Sequence, residues 1–271
     1  MEKKIKRLYS IIRRYRSAVI AFSGGVDSTL LAQVAAEVLG KRVLLVTAVS
    51  SAFPRSEQAA AKSCAEWLRL PQRIIVSEET AIAGFSDNTP ERCYLCKRAL
   101  FSKMRDIAAR KGYAAVFDGS NADDAHDYRP GKRALGELGI ISPLARAGLT
   151  KSDVRLLSSE RRLPTAHKAS FACLASRFPY GDRITISKLR RVDVAEAAVR
   201  RLGFGQFRIR SHGDCARIEM NREQIERAWK MRGALGRACK GAGFVFTAVD
   251  TDGYRTGAMN EALGRKDVHG A

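Results

Sequence analysis

Ile5, Leu8, Ile11 and Ile12 recur at helical spacing in a first stretch that is otherwise basic. Positions three and four apart meet on one side of a helix, so this spacing predicts an amphipathic first helix. Apolar runs of two kinds then take turns along the chain. Short β-rich runs fall at residues 17–22, 42–49, 72–79 and 114–120. Between them, residues 28–40, 54–70 and 97–113 keep a helical period; the first carries Leu31, Val34, Ala35 and Val38 and stops on Gly40, and the second begins at Pro54. Strands apolar throughout, alternating with helices, predict a parallel sheet covered on both faces. Ligands of such sheets lie outside the carboxyl ends of the strands, so the loops after Phe22, Val49, Ser77 and Phe117 should share one site.

From about Leu149 the rhythm changes. Residues 150–163 predict a helix capped by Thr150, and residues 164–185 are too polar and interrupted for a core element. A strong helix is expected over 186–204, with Leu189, Val192, Ala195 and Val199 inward. Strands follow at 206–213 and 215–220 around His212-Gly213-Asp214, then a helix over 221–243 capped by Asn221, then a strand over 244–250. The expected fold class is therefore α/β: a parallel-sheet domain over 1–163, an active-site loop or linker over 164–185, and a smaller α+β domain over 186–271.

The 271 residues, 45% of them hydrophobic, suffice for one large domain or two unequal ones. No apolar run approaches the roughly 18 residues that span a bilayer, and the basic start lacks a signal core. A cytoplasmic protein without a membrane partner is the expectation. The formal charge of +20 points to anionic partners such as nucleotides, phosphorylated metabolites or RNA, with a solvated basic surface as the plain alternative. Aromatic residues do not interleave with the basic ones, which argues against a nucleic-acid partner. Six cysteines form no disulfide scaffold at this length, and Cys64 and Cys239 sit in helical patterns as core fillers.

Chemistry concentrates first in Ser23–Ser28, "SGGVDS", where the first apolar run meets a helical pattern. A strand-to-helix loop aims backbone N–H groups and the positive helix end at one point, an anion site, and glycine lets the backbone approach closely. The stretch is neither G-x-x-x-x-G-K-[ST] nor G-x-G-x-x-G. It resembles the PP-loop signature of the ATP pyrophosphatases at every position. That resemblance implies an adenine nucleotide alpha hydrolase-like fold, pyrophosphate held by Ser23, Gly24, Gly25 and Ser28, and Mg2+ placed with the help of Asp27. It also implies attack on the α-phosphorus of ATP, which adenylates a substrate oxygen and expels pyrophosphate. Asp118 and Asp123 in "DGSNADD" follow the fourth strand, where Mg2+–ATP would sit, and Asp124 is read as capping the next turn.

Cys93-x-x-Cys96 stands at the mouth of a helix. Such a pair serves as a redox couple, half a zinc site, part of an iron–sulfur site, or nothing at all. Cys173 is the candidate third partner, and three thiolates leave one iron of a [4Fe-4S] cluster open to a carried sulfur. His167 and His212 have no neighbours at ligand spacing. Together with the PP-loop, "DGSNADD", "ACLASRFPYGDRIT", "RIRSHG" and "GYRTGAMNEAL" resemble the ATP-dependent sulfur transferases of the LarE family, in order and over nearly the whole chain.

That resemblance implies a phosphorylated pyridinium substrate, pyridinium-3,5-biscarboxylic acid mononucleotide. Its carboxylates are adenylated and thiolated on the way to a nickel-pincer nucleotide cofactor. It further implies a homo-oligomer and, as a candidate partner, a sulfide donor protein. In one branch the residue matching Cys173 surrenders its own sulfur; in the other it joins a C-x-x-C pair around a [4Fe-4S] cluster, and Cys93 and Cys96 match that branch. Ser176, Arg177, Glu196, Arg208 and Arg210 match the substrate-phosphate positions, and arginines two apart on a strand point the same way. Asp250 and Arg255 are read as either functional or structural. A PP-loop tRNA thiolation enzyme, an ammonia-using synthetase and a non-catalytic nucleotide sensor remain as alternatives at this point; the last two leave the cysteines idle.

Overall fold

The computed structural model describes residues 1–125, 130–169, 171–255 and 257–262. It divides into two compact units, one of Met1–Ile82 with Pro90–Phe171 and one of Ala83–Thr89 with the chain from Ala172 onward. No helix among the described residues is long and apolar enough to cross a membrane.

The first unit runs α1 (Glu2–Arg13), β1 (Ala18–Ala21), α2 (Val26–Leu39), β2 (Val43–Val49), α3 (Arg55–Leu68), β3 (Gln72–Val76), α4 (Arg92–Arg110), β4 (Ala115–Phe117), α5 (Gly131–Glu137), α6 (Pro143–Arg146) and α7 (Lys151–Glu160). The four strands are parallel in the order β3-β2-β1-β4. Successive strand residues face opposite ways, so Ala18, Ile20, Val43 and Leu45 enter one apolar cluster with Leu8, Leu31 and Val154. Val19, Leu44 and Val46 enter the other, against Phe101, Met104 and Ile107 of α4. This is why β1 and most of β2 read as unbroken apolar runs: both faces are covered. The expected α/β class is present.

Two short helices, α5 and α6, carry too few apolar positions for a periodic signal. Between them Ile141 makes an isolated parallel bridge to Phe117. Helix α4 begins five residues earlier than its pattern predicted, at Arg92 rather than residue 97. Thr150 caps α7 as expected and closes a capping box with Asp153.

The second unit holds α8 (Ile186–Arg201), β5 (Phe207–His212), β6 (Cys215–Met220), α9 (Ile225–Lys230), α10 (Arg232–Gly241) and β7 (Phe246–Val249). Strands β5 and β6 form an antiparallel hairpin, and β7 joins β6 in parallel. The hairpin loop is Gly213-Asp214, with Gly213 at φ +58°, a conformation that favours glycine at the first loop position. The single helix predicted over 221–243 is instead a 3-10 turn, α9 and α10, parted at Met231 (φ −100°, ψ 15°). Asn221 precedes the 3-10 turn without a side-chain cap, so its expected capping role is not realised. Segment 83–89 belongs here because Ser86 and Asn88 accept from the amides of Ile184 and Gly181 at 2.8 and 3.1 Å.

Lys4 donates to Asp153 at 2.6 Å. This contact, reinforced by the Thr150 amide, holds the Asp153 carboxyl at about 2 against an ordinary 3.8. A depressed pKa stabilises the fold fully above 3.8, and that contribution fades as the pH falls to about 2. The side chain of Lys4 is 39% exposed, so solvent screening leaves this pair a small effect, at most about 1 kcal/mol. Urea unfolding of wild type and Asp153→Asn should show a stability gap that is level above pH 3.8 and closes towards about 2.

Candidate functional site

Strand β1 has β2 on one side and β4 on the other, so the chain leaves it in one direction through β2 and β3 and returns to its opposite side with β4. A crevice at the carboxyl ends of β1 and β4 follows from that reversal. The loops that open into it are residues 22–25 and residues 118–124.

In the first loop, Ser23 and Ser28 tie the turn together. Their hydroxyls lie 3.2 Å apart, the Ser23 amide donates to Ser28 Oγ at 3.3 Å, and the Gly25 amide donates to Ser23 Oγ at 3.3 Å. Gly25 is the N-cap of α2 and makes no side-chain cap, which keeps the positive helix start facing the loop. Gly24 has φ +64°, and a Cβ there would stand 2.6 Å from Ala61 Cα of α3. Either fact alone demands glycine. A Cβ on Gly119 would lie 3.2 Å from the Ser28 amide, so the two loops meet backbone to backbone.

Asp27, in the first turn of α2, accepts from Asn121 Nδ2 at 3.1 Å and pairs with Lys151 Nζ. The Lys151 amide donates to Asp123 Oδ2 at 2.8 Å, and the Asp123 amide to Asn121 Oδ1 at 3.0 Å. Asp27 and Asp123 are thus joined through Lys151 and Asn121. Asp124 accepts from the Asn121 amide at 2.9 Å and so braces the start of its own turn, Ala122–Ala125; the next turn, which it was expected to cap, lies outside the described residues. Asp118 is buried and turned to Ser120 and Ser142, whose hydroxyls donate to it. Among the described residues, no group of three or more His, Cys, Asp or Glu is placed to hold a metal ion. Mg2+ is commonly held by one or two carboxylates with nucleotide phosphates completing its shell, and Asp27 with Asp123 fits that donor set.

Lys168 lies beside the same loop. Its Nζ donates to the Gly24 carbonyl at 3.0 Å and pairs with Glu57 at 2.7 Å. Arg155 of α7 fixes its backbone by donating to the carbonyls of Ala166 and Lys168, each at 2.9 Å. Lys151, Asn121 and Lys168 were not singled out from the sequence. The signals were faint: Lys151 follows the cap Thr150, and Lys168 falls within the polar loop 164–185.

Cys93 and Cys96 are the second and fifth residues of α4, three apart and so on one face, Cys93 exposed and Cys96 half-buried. Arg92 Nη2 donates to Cys93 Sγ at 3.8 Å. Two cysteine sulfurs on one helix face are the donor type that iron–sulfur sites use. Cys64 and Cys239 are buried, and burial lifts both thiols above their usual range.

In the second unit Cys173 is the N-cap of a 3-10 turn, Leu174–Arg177. Its carbonyl accepts from Ser176 Oγ at 2.7 Å and from Arg177 Nη1 at 3.3 Å. Arg177 is fully buried and forks Glu196 through Nε and Nη2 at 2.8 and 3.2 Å. Burial acts to raise the pKa of Glu196, but the charge and hydrogen bonds of Arg177 and the Ile209 amide outweigh it, and the carboxyl stays below its usual value. Arg210 forks Glu219 at 2.8 and 2.6 Å and donates to the Ser176 carbonyl at 2.9 Å. Arg208 donates to the Phe207 carbonyl at 2.8 Å and lies 5.2 Å from the Tyr254 ring centre. Burial, then the like charge of Arg177, pulls the Arg208 pKa down. Arg217 joins Glu219 to Asp250 at 2.9 and 3.1 Å. All five residues expected at a phosphate site thus belong to one polar network with Arg217, Glu219 and Asp250; Arg177, Arg208, Arg210, Glu196 and Glu219 are buried, whereas Ser176, Arg217 and Asp250 are half-buried. Asp250 and Arg255 both sit in ion pairs, Arg255 with Asp252 and Glu261. The motif ending at Leu263 extends beyond the described residues at Thr256 and Leu263.

The asparagine synthase family matches residues 13–125, the part of the chain that holds the PP-loop and the loop after β4. An uncharacterised protein of Synechocystis sp. is 40% identical over 97% of this chain and 99% of its own. Pyridinium-3,5-bisthiocarboxylic acid mononucleotide synthase of Lactiplantibacillus plantarum is 37% identical over 94% of this chain and 93% of its own. An uncharacterised protein of Methanocaldococcus jannaschii is 27% identical over 94% and 98%.

Gly24→Ala should weaken nucleotide binding about tenfold to a hundredfold, since a left-handed non-glycine residue costs about 1–3 kcal/mol and Ala61 must also move. Lys168→Met should weaken it only several-fold. Calorimetric titration with ATP measures both, and a larger loss for Lys168→Met would invert the ranking of loop backbone over side chain.

Proposed function

The chain belongs to the LarE family of PP-loop ATP pyrophosphatases, and we propose that it adenylates the carboxylates of pyridinium-3,5-biscarboxylic acid mononucleotide and converts them to thiocarboxylates. It is an ATP-dependent sulfurtransferase. The observation that carries this reading is the presence, on one chain, of a PP-loop at the strand-order reversal and of Cys173 on a turn held by Ser176 and Arg177.

A substrate carboxylate oxygen attacks the α-phosphorus of ATP, the bond to the β-phosphate oxygen breaks, and pyrophosphate leaves into the loop of Ser23, Gly24, Gly25 and Ser28. Asp27 and Asp123 would hold Mg2+, which supplies neutralising charge to the phosphates. A sulfur nucleophile then attacks the acyl-adenylate and displaces AMP. Cys93, Cys96 and Cys173 would hold a [4Fe-4S] cluster, which supplies a place to carry inorganic sulfide. Arg208 and Arg210, with Ser176, take the substrate phosphate. Arg177 and Glu196 are buried in that network and position the Cys173 turn. In this reading residues 1–163 bind ATP, 164–185 present Cys173, and 186–271 serve substrate binding and assembly.

A cytoplasmic homo-oligomer fed by a sulfide donor protein completes the proposal. Edge strand β7 supports assembly, because Phe246 is 65% and the nearby Trp229 67% exposed along one groove.

Asp27→Ala should lower pyrophosphate release about a hundredfold or more, as for other losses of a charge-stabilising group. Retained release would remove Asp27 from its role. Cys173→Ala should keep adenylation and lose the thiolated product. Iron and acid-labile sulfide in anaerobically purified protein, lost in Cys93→Ala, would support the cluster. If reconstitution yields neither and Cys173 becomes dehydroalanine after turnover, the residue is its own sulfur source.

A further inference from the structure

A pocket of about 240 Å3 lies in the first unit between α1 and the end of α6, lined by Arg7, Ser10, Ile11, Arg14, Tyr15 and Arg146. Arg7, Ser10, Ile11 and Arg14 fall at i, i+3, i+4 and i+7, one stripe of the helix and its C-cap. Arg146 is the last residue of α6 and faces them across the pocket. Ile11 is buried and gives the pocket an apolar wall. None of the three guanidinium groups makes an ion pair among the described residues, and Glu2, Asp153 and Glu37 pair elsewhere, with Lys6, Lys4 and Arg161.

Three like charges converging on one concavity are unfavourable without an anion. Because all three are exposed, salt screens that repulsion when the pocket is empty. A dianion converts it into charge-assisted forks from donors held on helices, with the Ser10 hydroxyl beside them. The volume falls below the roughly 300–1,000 Å3 of pockets that enclose drug-sized ligands, so a phosphoryl group and little more is enclosed. A polynucleotide would want an open aromatic face, yet Tyr15 is packed edge-on against Phe117, with ring centres 5.3 Å apart.

We propose that this pocket binds the phosphoryl dianion of inorganic phosphate or of a small phosphate monoester. It is separate from the nucleotide loop but not isolated from it. At the start of α6, Ser142 donates to Asp118, and the Ala145 amide donates to the Ser120 carbonyl at 3.1 Å. Those acceptors belong to the loop that supplies Asn121 to Asp27.

The test is calorimetric titration of the full chain with inorganic phosphate and with AMP at fixed ionic strength, beside Arg7→Gln/Arg146→Gln and, separately, Arg14→Gln. Wild type should show one phosphate site more than the double variant, with affinity there falling about tenfold or more per arginine removed. Unchanged ATP affinity in the variants marks them as folded. Tighter binding of AMP through these arginines assigns a monoester, and equal binding assigns free phosphate; both support the site. Identical titrations of wild type and variants, or equal stabilisation by chloride, would overturn it. So would a 5′-phosphorylated RNA that binds through the same arginines more tightly than either small ligand.

Discussion

Two loops in the first unit must share a space too small for side chains between them. Because β1 is flanked by parallel neighbours, the loops leaving β1 and β4 emerge side by side, and they touch through backbone at Gly119 and Ser28. That contact fixes what surrounds it. Gly24 must be glycine to pass Ala61, Ser23 and Ser28 must close the turn with their hydroxyls, and Asn121 can then reach Asp27. A side chain at Gly119 would press on the Ser28 amide, and one at Gly24 on Ala61. The anion site is therefore a consequence of sheet order and of two glycines, before any charged side chain is considered.

The second unit solves a different problem. It buries Arg177, Arg208, Arg210, Glu196 and Glu219, charges that would each cost several kcal/mol if left alone. The forks Arg177–Glu196 and Arg210–Glu219 offset that cost, and their remaining donors go to the carbonyls of Cys173 and Ser176. The turn that presents Cys173 is thereby held by guanidinium groups that cannot rotate away without exposing a buried carboxylate. Hydrophobic replacements of similar volume could match the stability of such a network. They could not provide its donors to the turn.

Much of this was legible in the residues and some could not be. The apolar runs of β1 and β2 and the glycines of "SGGVDS" carry local signals, and sheet and loop stand where those signals put them. Asn121, Lys151 and Lys168 carry none, because each acquires its partner only when segments about 94 to 144 positions apart are folded together. Arg208 and Arg210 were legible as a pair on one strand face, whereas the burial of Arg177 and the carboxylates that answer these arginines depend on packing. Helix α4 began early because Arg92 and Cys93 are polar or small and add nothing to an apolar period, yet that early start is what puts Cys93 and Cys96 on one turn. The longest helix prediction in the second unit failed at Met231, an apolar residue with no breaker chemistry of its own.

The net charge of +20 illustrates how little a total says without placement. Lys151 and Lys168 stand at the nucleotide loop, but each is matched by an acid, Asp27 and Glu57, and adds nothing to the excess. In the second unit the buried Arg177 and Arg210 are answered by Glu196 and Glu219. Most of the surplus must then lie on the surface, where dispersed charges are screened within about 10 Å and attract no ligand in particular. Charge becomes a site only where several groups converge on one cavity without acids to answer them. Among the described residues Arg7, Arg14 and Arg146 meet that condition on α1 and α6, and they do so on a helix whose opposite face, Leu8 and Ile12, is fixed in the core.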